Sequence, residues 1–424
     1  MTAGAADRPL PPVVERFLRY VEIDTEADRE SSAIPSSEKQ KDLSRLLAEE
    51  LVALGVGDAA MDGFGYVYGS LPASVGAEQA PALALLAHVD TSPDAPGGPV
   101  KPQLHRDYDG SVIELSGDPT VKLDPERSPA LLQHLGHDLI SSDGTTLLGS
   151  DDKAGVAIIM QTVADLLADE QSLRPALRIC FTVDEEIGRG VDAIDLERLG
   201  AKVAYTIDGG GVGSFSFETF NAAEAVVRVV GVGVHPGYAK GVMANAATIL
   251  AQILGGLPAD ETPEATSDRE GYFCPHQLSG DITAAEARIL LRDFTDEGLV
   301  RRKDLVEQLV RAAAIKHPRA KVTVEITDSY RNMREYIEQS DPRAISFAFA
   351  AAEALGVELE EELVRGGTDG SRLSEMGLPT PNVFTGGYDF HSRFEWNTVQ
   401  NLEAALNYVK ALVGYWAEHG GAGG

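Results

Sequence analysis

The apolar positions of this chain follow two regimes. In the first, continuous apolar runs alternate with segments of helical period. Residues 16–21 and 40–54 read as amphipathic helices, and residues 66–71 and 82–89 as strands. Residues 153–167 predict a strong helix whose apolar face carries Ala154, Val156, Ile158, Ile159 and Val163. Residues 176–183 and 203–207 read as two more buried strands. Strands alternating with helices imply a mostly parallel α/β sheet. Between them, residues 94–148 are rich in Pro, Gly and Asp and predict an elaborated loop with short strands.

The second regime begins near Ser214. Residues 223–234 form a long, valine-rich, strand-like segment, followed by a helix at 245–254. Strand-like pieces at 280–283 and 287–291, a helix at 299–314 and a strand at 321–326 complete a β-α-β-β-α-β order. That order is the split, ferredoxin-like arrangement. After Tyr330 the chain returns to helix at 345–355, a short strand at 381–384 and a closing helix at 402–415. The expectation is a discontinuous, mostly parallel α/β domain (residues 1–213 and 330–424) interrupted by an α+β domain at 214–329.

Bulk properties narrow the class. At 424 residues two domains are expected. Hydrophobic content of 43% and charged content of 24% are globular values. No apolar run is long enough for a bilayer. Residues 1–8 lack a basic stretch followed by an apolar one, so no secretory signal is expected. Cys180 and Cys274 alone make no disulfide framework, and a cytoplasmic location is expected. A formal charge of −30 argues against nucleic acid and anionic membranes as partners. The acids are spread along the chain and read as a solvated surface. The Gly-rich end, residues 420–424, is expected to fray.

Candidate chemistry sits at element ends. The run 83–89 carries His88 and Asp90 at its tip, where open α/β sheets place ligands. Two residues apart on a strand, they point to the same side. A carboxylate beside an imidazole fixes its tautomer and strengthens it as a metal ligand. Taken alone, the pair also fits a capped strand end before the turn residues Thr91, Ser92, Pro93 and Asp94. Further along, Asp151 and Asp152 precede the 153–167 helix, and a helix N-cap explains only one of them. Asp184, Glu185 and Glu186 crowd one strand tip, where they repel unless a cation or solvent intervenes. From an extended tip, Glu185 and Glu186 would point opposite ways. Asp208 precedes three glycines, and His391 lies in an aromatic and polar loop, where a packed histidine is the ordinary reading. Together these residues make a mixed imidazole and carboxylate set suited to Zn, Co or Mn, with a shared carboxylate suited to a pair of ions.

The ordered motifs His88-x-Asp90, Gly149-x-Asp151-Asp152-Lys153-x-Gly155, Asp184-Glu185-Glu186-x-Gly188, Asp208-Gly209-Gly210 and His391 resemble the co-catalytic zinc aminoacylase and carboxypeptidase superfamily. Within it the chain is similar to the peptidase T family of tripeptide aminopeptidases, through the stretches 88–94, 145–155, 205–213, 234–243, 292–294, 332–335 and 365–370. The resemblance runs from about Val14 to the final helix. It implies that the first domain is catalytic and the inserted one a lid and dimerisation domain.

It also implies roles. Asp151 bridges two zinc ions, with Co2+ or Mn2+ as possible substitutes. His88 and Asp208 complete one site, and Glu186 and His391 the other. Asp90 orients His88, and Glu185 is the general base for a metal-bridging hydroxide. The Asp151–Asp152 peptide bond is cis. His235 helps hold the oxyanion across a dimer interface, Arg292 and Arg365 anchor the peptide carboxylate, and Gly367 and Thr368 line the substrate backbone. Ser150 and Tyr238 depart from the family pattern, and residues 260–277 follow it only loosely. Cys274, Pro275 and His276 read as structural.

The implied function is release of the N-terminal residue from tripeptides by a homodimer. An amidase of N-acyl amino acids from the same superfamily is the alternative. A non-catalytic binding protein on this fold would require a missing ligand or base, and none is missing.

Overall fold

The computed structural model describes residues 8–169 and 171–421. Residues 1–7, read for a secretory signal, and 422–424 of the Gly-rich end lie outside that range. The chain packs as two compact units. One comprises Met1–Phe217, Tyr336–Glu362 and Thr368–Gly424, and the other Glu218–Glu335 and Leu363–Gly367.

The first unit is built on an eight-stranded sheet. Its spatial order is Ala60–Met61, Val67–Leu71, Leu177–Thr182, Leu83–His88, Val203–Gly209, Asn382–Phe384, Ser214–Ser216, Glu360–Glu361. The four central strands are mutually parallel. Leu83–His88 is buried at every position, as a run covered on both faces must be. The helix Ser150–Ala168 packs on Leu83–His88 and Val203–Gly209, and against helices Pro12–Val21 and Val399–His419. Gly155 makes that docking possible: a Cβ there would stand 1.9 Å from Ile207 O and 2.4 Å from Asp152 Oδ1. Gly155→Ala should therefore lower stability by about 1–3 kcal/mol or more, read as an earlier urea midpoint at unchanged slope. An unshifted midpoint would show that the helix yields without cost.

The 94–148 region forms short strands, as expected. Gln103–His105 and Leu139–Ser141 pair antiparallel, and Leu139–Ser141 also pairs with Trp396–Thr398. Tyr108, Leu115, Val121, Leu123, Leu131, Leu139 and Trp396 form a small buried cluster beneath it. That pairing ties down the end of the loop carrying His391.

The second unit is a four-stranded antiparallel sheet in the order Tyr272–Gly280, Ala284–Asp293, Asn221–Val230, Lys321–Tyr330. Helices Ala246–Leu254 and Asp296–Lys316 cover it and share its apolar cluster. The chain order is β-α-β-β-α-β, but one strand differs from expectation. Of the expected strand at 280–283, residues 281–283 are the hairpin bend and Gly280 ends the strand before them, Tyr272–Gly280. Pro275 and the polar residues around it disguise that strand. Proline lacks a donor and is confined to edges and bulges, and here it lies on an edge strand beside a register shift.

The unit boundaries also depart from 214–329. Ser214–Ser216 pairs with Asn382–Phe384 and so belongs to the large sheet. Val364 bridges Thr219 and draws 363–367 into the second unit. Short helices at Leu196–Leu199, Met333–Ser340 and Asp369–Glu375 add to those expected. Among the described residues, no helix is long and apolar enough to cross a membrane.

Candidate metal centre

His88 is the last residue of its strand and is 2% exposed. Its Nδ1 lies 3.1 Å from Asp90 O and 3.3 Å from Asp90 Oδ1. With Nδ1 protonated, the ring donates to Asp90 and turns Nε2 the other way. Nε2 meets Asp151 Oδ1 at 3.0 Å and Asp208 Oδ1 at 3.5 Å. Asp208 lies in the adjacent parallel strand Val203–Gly209, which fixes its spacing from His88.

Asp151 and Asp152 break the start of the Ser150–Ala168 helix with non-helical dihedrals, and the peptide bond between them is cis. Their jobs separate. Asp152 Oδ1 accepts the Gly155 N–H (3.1 Å), as an N-cap does, and its Oδ2 accepts the His88 N–H (3.2 Å). Asp151 offers one oxygen to His88 and the other, Oδ2, to His391 Nε2 at 3.1 Å. His391 Nε2 also meets Glu186 Oε2 at 2.8 Å.

The three consecutive acids do not form an extended tip. Glu185–Ile187 is a 3-10 turn, entered through Asp184 at φ 61°. A turn of about three residues per revolution points successive side chains in different directions. Asp184 is buried and accepts from Ser36 N–H, the Ser36 hydroxyl and Gln40 Nε2, so hydrogen bonds rather than a cation satisfy it. Glu186 turns to His391. The turn itself hangs on Asp90, whose Oδ1 accepts the Glu185 N–H and Oδ2 the Glu186 N–H, each at 3.1 Å. Asp90 therefore faces both the His88 ring and the Glu185–Glu186 backbone.

Among the described residues, two trios could each hold an ion: His88, Asp151 and Asp208, and Asp151, Glu186 and His391. The ligand atoms of each trio lie within 4.8 Å of one another. Glu185 belongs to neither. The electrostatics of the protein groups alone show strain that cations would relieve. Burial pushes the Glu186 carboxyl up to about 8, with the Asp151 charge adding to it and His391 opposing. Burial, opposed by His88, leaves Asp208 raised to about 6. Burial and the Asp208 charge hold Glu185 well above the carboxylate range. Contacts with Asp151 and Glu186 lift His391 to about 11. Burial would lower His88, but Asp208 and Asp151 outweigh it and the imidazole ends well above its ordinary value. Glu186 Oε1 is buried without a hydrogen-bond partner. Two imidazoles and three carboxylates, one of them with an orphaned oxygen, are a donor set that a pair of divalent ions fits.

Glu395 and Asp369 are further acids near this cluster, beside Asp94, whose Oδ2 lies 3.6 Å from His391 Nδ1. Glu395 is buried four residues beyond His391 and accepts three backbone N–H groups of residues 148–151. Asp369 accepts the Thr182 hydroxyl at 2.9 Å, and burial raises it to about 7. The only sequence signal for Glu395 is an acid between two aromatics, Phe394 and Trp396.

Of the residues expected to contact substrate, Thr368 lies in the first unit, where it caps Asp369–Glu375 in a capping box with Ser371. The others lie in the second unit. His235 is exposed at a 3-10 turn, and its Nδ1 accepts the Gly237 N–H at 3.1 Å. Arg292 Nη1 donates to Ala223 O and Leu291 O. Arg365 donates through Nη1 to Asp268 O and Glu270 O and through Nη2 to Thr266 Oγ1. Gly367 packs against the Tyr330 ring, which a Cβ would meet at 2.6 Å.

Comparison with known proteins follows the same lines. Residues 146–415 match the model of peptidase family M20/M25/M40. Peptidase T of Desulfitobacterium hafniense (strain Y51) is 44% identical over 406 residues, covering 96% of this chain and 98% of the relative. Peptidase T of Aliivibrio fischeri (strain ATCC 700601 / ES114) is 44% identical over 397 residues, covering 94% and 96%. In solved structures the fold recurs in aminopeptidase PepT from Bacillus cereus ATCC 10987 (TM-score 0.75, 22% identity, 96% and 98% covered). It recurs in a tripeptidase from Staphylococcus aureus (TM-score 0.76, 21% identity, 96% and 98% covered). The YXEP protein of Bacillus subtilis, a dinuclear metal binding peptidase from the M20 family, shares it at TM-score 0.64 and 14% identity (95% and 96% covered). With its candidate ligands gathered at one end of a mostly parallel sheet and relatives matched over nearly its whole length, this chain belongs to peptidase family M20/M25/M40 and is a hydrolase of peptide bonds.

Proposed function

We propose that this chain is a two-metal aminopeptidase that releases the N-terminal residue from tripeptides. One observation carries the reading: Asp151 gives one oxygen to each histidine of the two trios, while Glu185, beside them, belongs to neither. The tripeptide preference is supported by the relatives named Peptidase T and the tripeptidase that shares the fold.

His88, Asp208 and Asp151 would hold one ion, and Asp151, Glu186 and His391 the other. Zn2+ suits this set, and Co2+ or Mn2+ are admitted by it. Divalent ions held there supply Lewis acidity, polarising the scissile carbonyl and acidifying water. Glu185 accepts the proton of the attacking water and passes it to the departing amine. Burial and the nearby Asp208 charge raise its affinity for a proton, which suits a group that takes one from water. Asp90 fixes the His88 ring through Nδ1 and presents Glu185 and Glu186 through their backbone N–H groups.

His235 would help hold the oxyanion across a dimer interface, and Gly367 and Thr368 would line the peptide backbone. Arg365 is bonded through both terminal nitrogens to the 266–270 segment, which favours Arg292 as the anchor for the substrate carboxylate. Pairing of two copies through the second unit is supported by its exposed Leu278 and Val230. A cytoplasmic setting is supported by its free Cys180 and Cys274.

The test is metal analysis combined with a panel of di-, tri- and tetrapeptides and N-acyl amino acids. Two equivalents of metal and fastest release of the first residue from tripeptides are expected. Cleavage of N-acyl amino acids alone would make the enzyme an amidase and overturn the proposal.

A further inference from the structure

Glu395 has no place in the reaction described above, yet it is 1% exposed and its carboxylate is fully engaged. Oε2 accepts the N–H groups of Leu148 and Gly149, both at 2.8 Å, and Oε1 accepts the N–H of Asp151 at 3.0 Å. These three donors belong to one turn, in which Gly149 takes a left-handed φ of 79°. Successive N–H groups converging on an anion form a nest, and here the anion is a side chain from 244 residues away. Burial raises the Glu395 carboxyl to about 7, against the pull of the three N–H groups. An isolated buried carboxylate is costly, so the nest is the source of its tolerance.

We propose that Glu395 is a positioning residue that holds the Asp151 turn against the His391 loop and so sets where the two oxygens of Asp151 stand. The inference rests on Asp151 being the carboxylate shared by two ions. Its basis is the double attachment of Glu395. Through its backbone it follows His391 in the same loop, where its N–H donates to Ser392 O. Through its side chain it grips the N–H of Asp151 itself. Asn397 strengthens the same junction by donating from Nδ2 to Ser150 Oγ at 2.9 Å. The two segments supply Asp151 and His391, which meet at 3.1 Å. An error in either loop would change that distance directly.

Glu395→Gln keeps the volume but replaces one accepting oxygen with a donor that faces an N–H group. Metal affinity of the metal-free protein, measured by competition with a chromophoric chelator, should fall about 10–100-fold for at least one ion. The kcat should fall by a similar factor with KM nearly unchanged, and the visible spectrum of the Co2+-loaded protein should shift. Wild-type affinity, spectrum and kcat in Glu395→Gln would overturn the proposal. So would a lowered thermal midpoint with metal affinity intact, which marks a purely structural residue.

Should Glu395→Gln not fold, Glu395→Asp, which keeps the charge but shortens the reach, carries the same measurements. Failure of both to fold also overturns the proposal. The wild-type protein separates this test from that of the proposed function. If it binds fewer than two ions, the shared-carboxylate reading fails first, whatever Glu395 does.

Discussion

Glu185→Ala is expected to lower kcat by about 10²–10⁴-fold while the protein retains two equivalents of metal. Glu185 stands in neither trio of ligand atoms, so removing its carboxylate should leave both intact. Its neighbour supplies the control. Glu186→Ala removes a carboxylate that touches His391 at 2.8 Å and should cost one equivalent of metal as well as activity. Metal analysis beside steady-state kinetics separates the two variants. If Glu185→Ala loses metal and activity together, Glu185 is a ligand and the proton-transfer role must pass elsewhere.

Removing the metals is the second large effect, and its pH dependence has a definite sign. Chelation should abolish hydrolysis, and it should also leave a protein whose stability falls as pH rises. Glu186 titrates at about 8 in the folded protein, and Asp208 at about 6, both above the ordinary carboxylate range that holds once the chain is unfolded. An acid with a raised folded value favours the folded state while protonated, and that contribution is lost as pH climbs through the folded value. His391, raised to about 11 by Asp151 and Glu186, acts in the same direction: its ion pairs are worth most below its unfolded value near 6.5 and are lost toward 11.

Between pH 5 and pH 8 the metal-free protein should therefore lose thermal stability. The loaded protein should lose less, because cations neutralise the same carboxylates and need the imidazoles unprotonated. The gap between the two thermal midpoints should widen with pH, and loading at neutral pH should release protons measurable by calorimetry in buffers of different ionisation enthalpy. A gap that is constant from pH 5 to pH 8 would mean that these groups are not the ones the metals meet.

Much of the scaffold is legible in the chain because it is local. The run that leads to His88 is continuously apolar and short, which reads as a strand covered on both faces, and the strand is buried at every position. The apolar positions from Ala154 onward, over more than three turns, read as a buried helix, as found. Where local signals conflict, the reading fails for identifiable reasons. Pro275 conceals an edge strand, so its last residue and the hairpin bend at 281–283 read as a strand instead. The crowding of Asp184, Glu185 and Glu186 reads as repulsion at an extended tip. The backbone turns there instead, and Ser36 and Gln40, more than 140 residues earlier, take up Asp184.

The sequence by itself determined which residue types stand at the ends of which elements: His88 and Asp208 at strand tips, Asp151 and Asp152 before a helix, and His391 in a loop. Apolar period and turn chemistry act over a few residues, so those placements needed nothing distant. Only the tertiary structure decided how the polar atoms are shared. It gave Asp152 to the helix start and Asp151 to the two histidines, and Asp90 to both a ring and a turn. It closed the Glu395 carboxylate over the N–H groups of residues 148–151. Hydrogen bonds are directional and short, and these join segments far apart in the chain, so their partners exist only once the sheet and its loops are assembled.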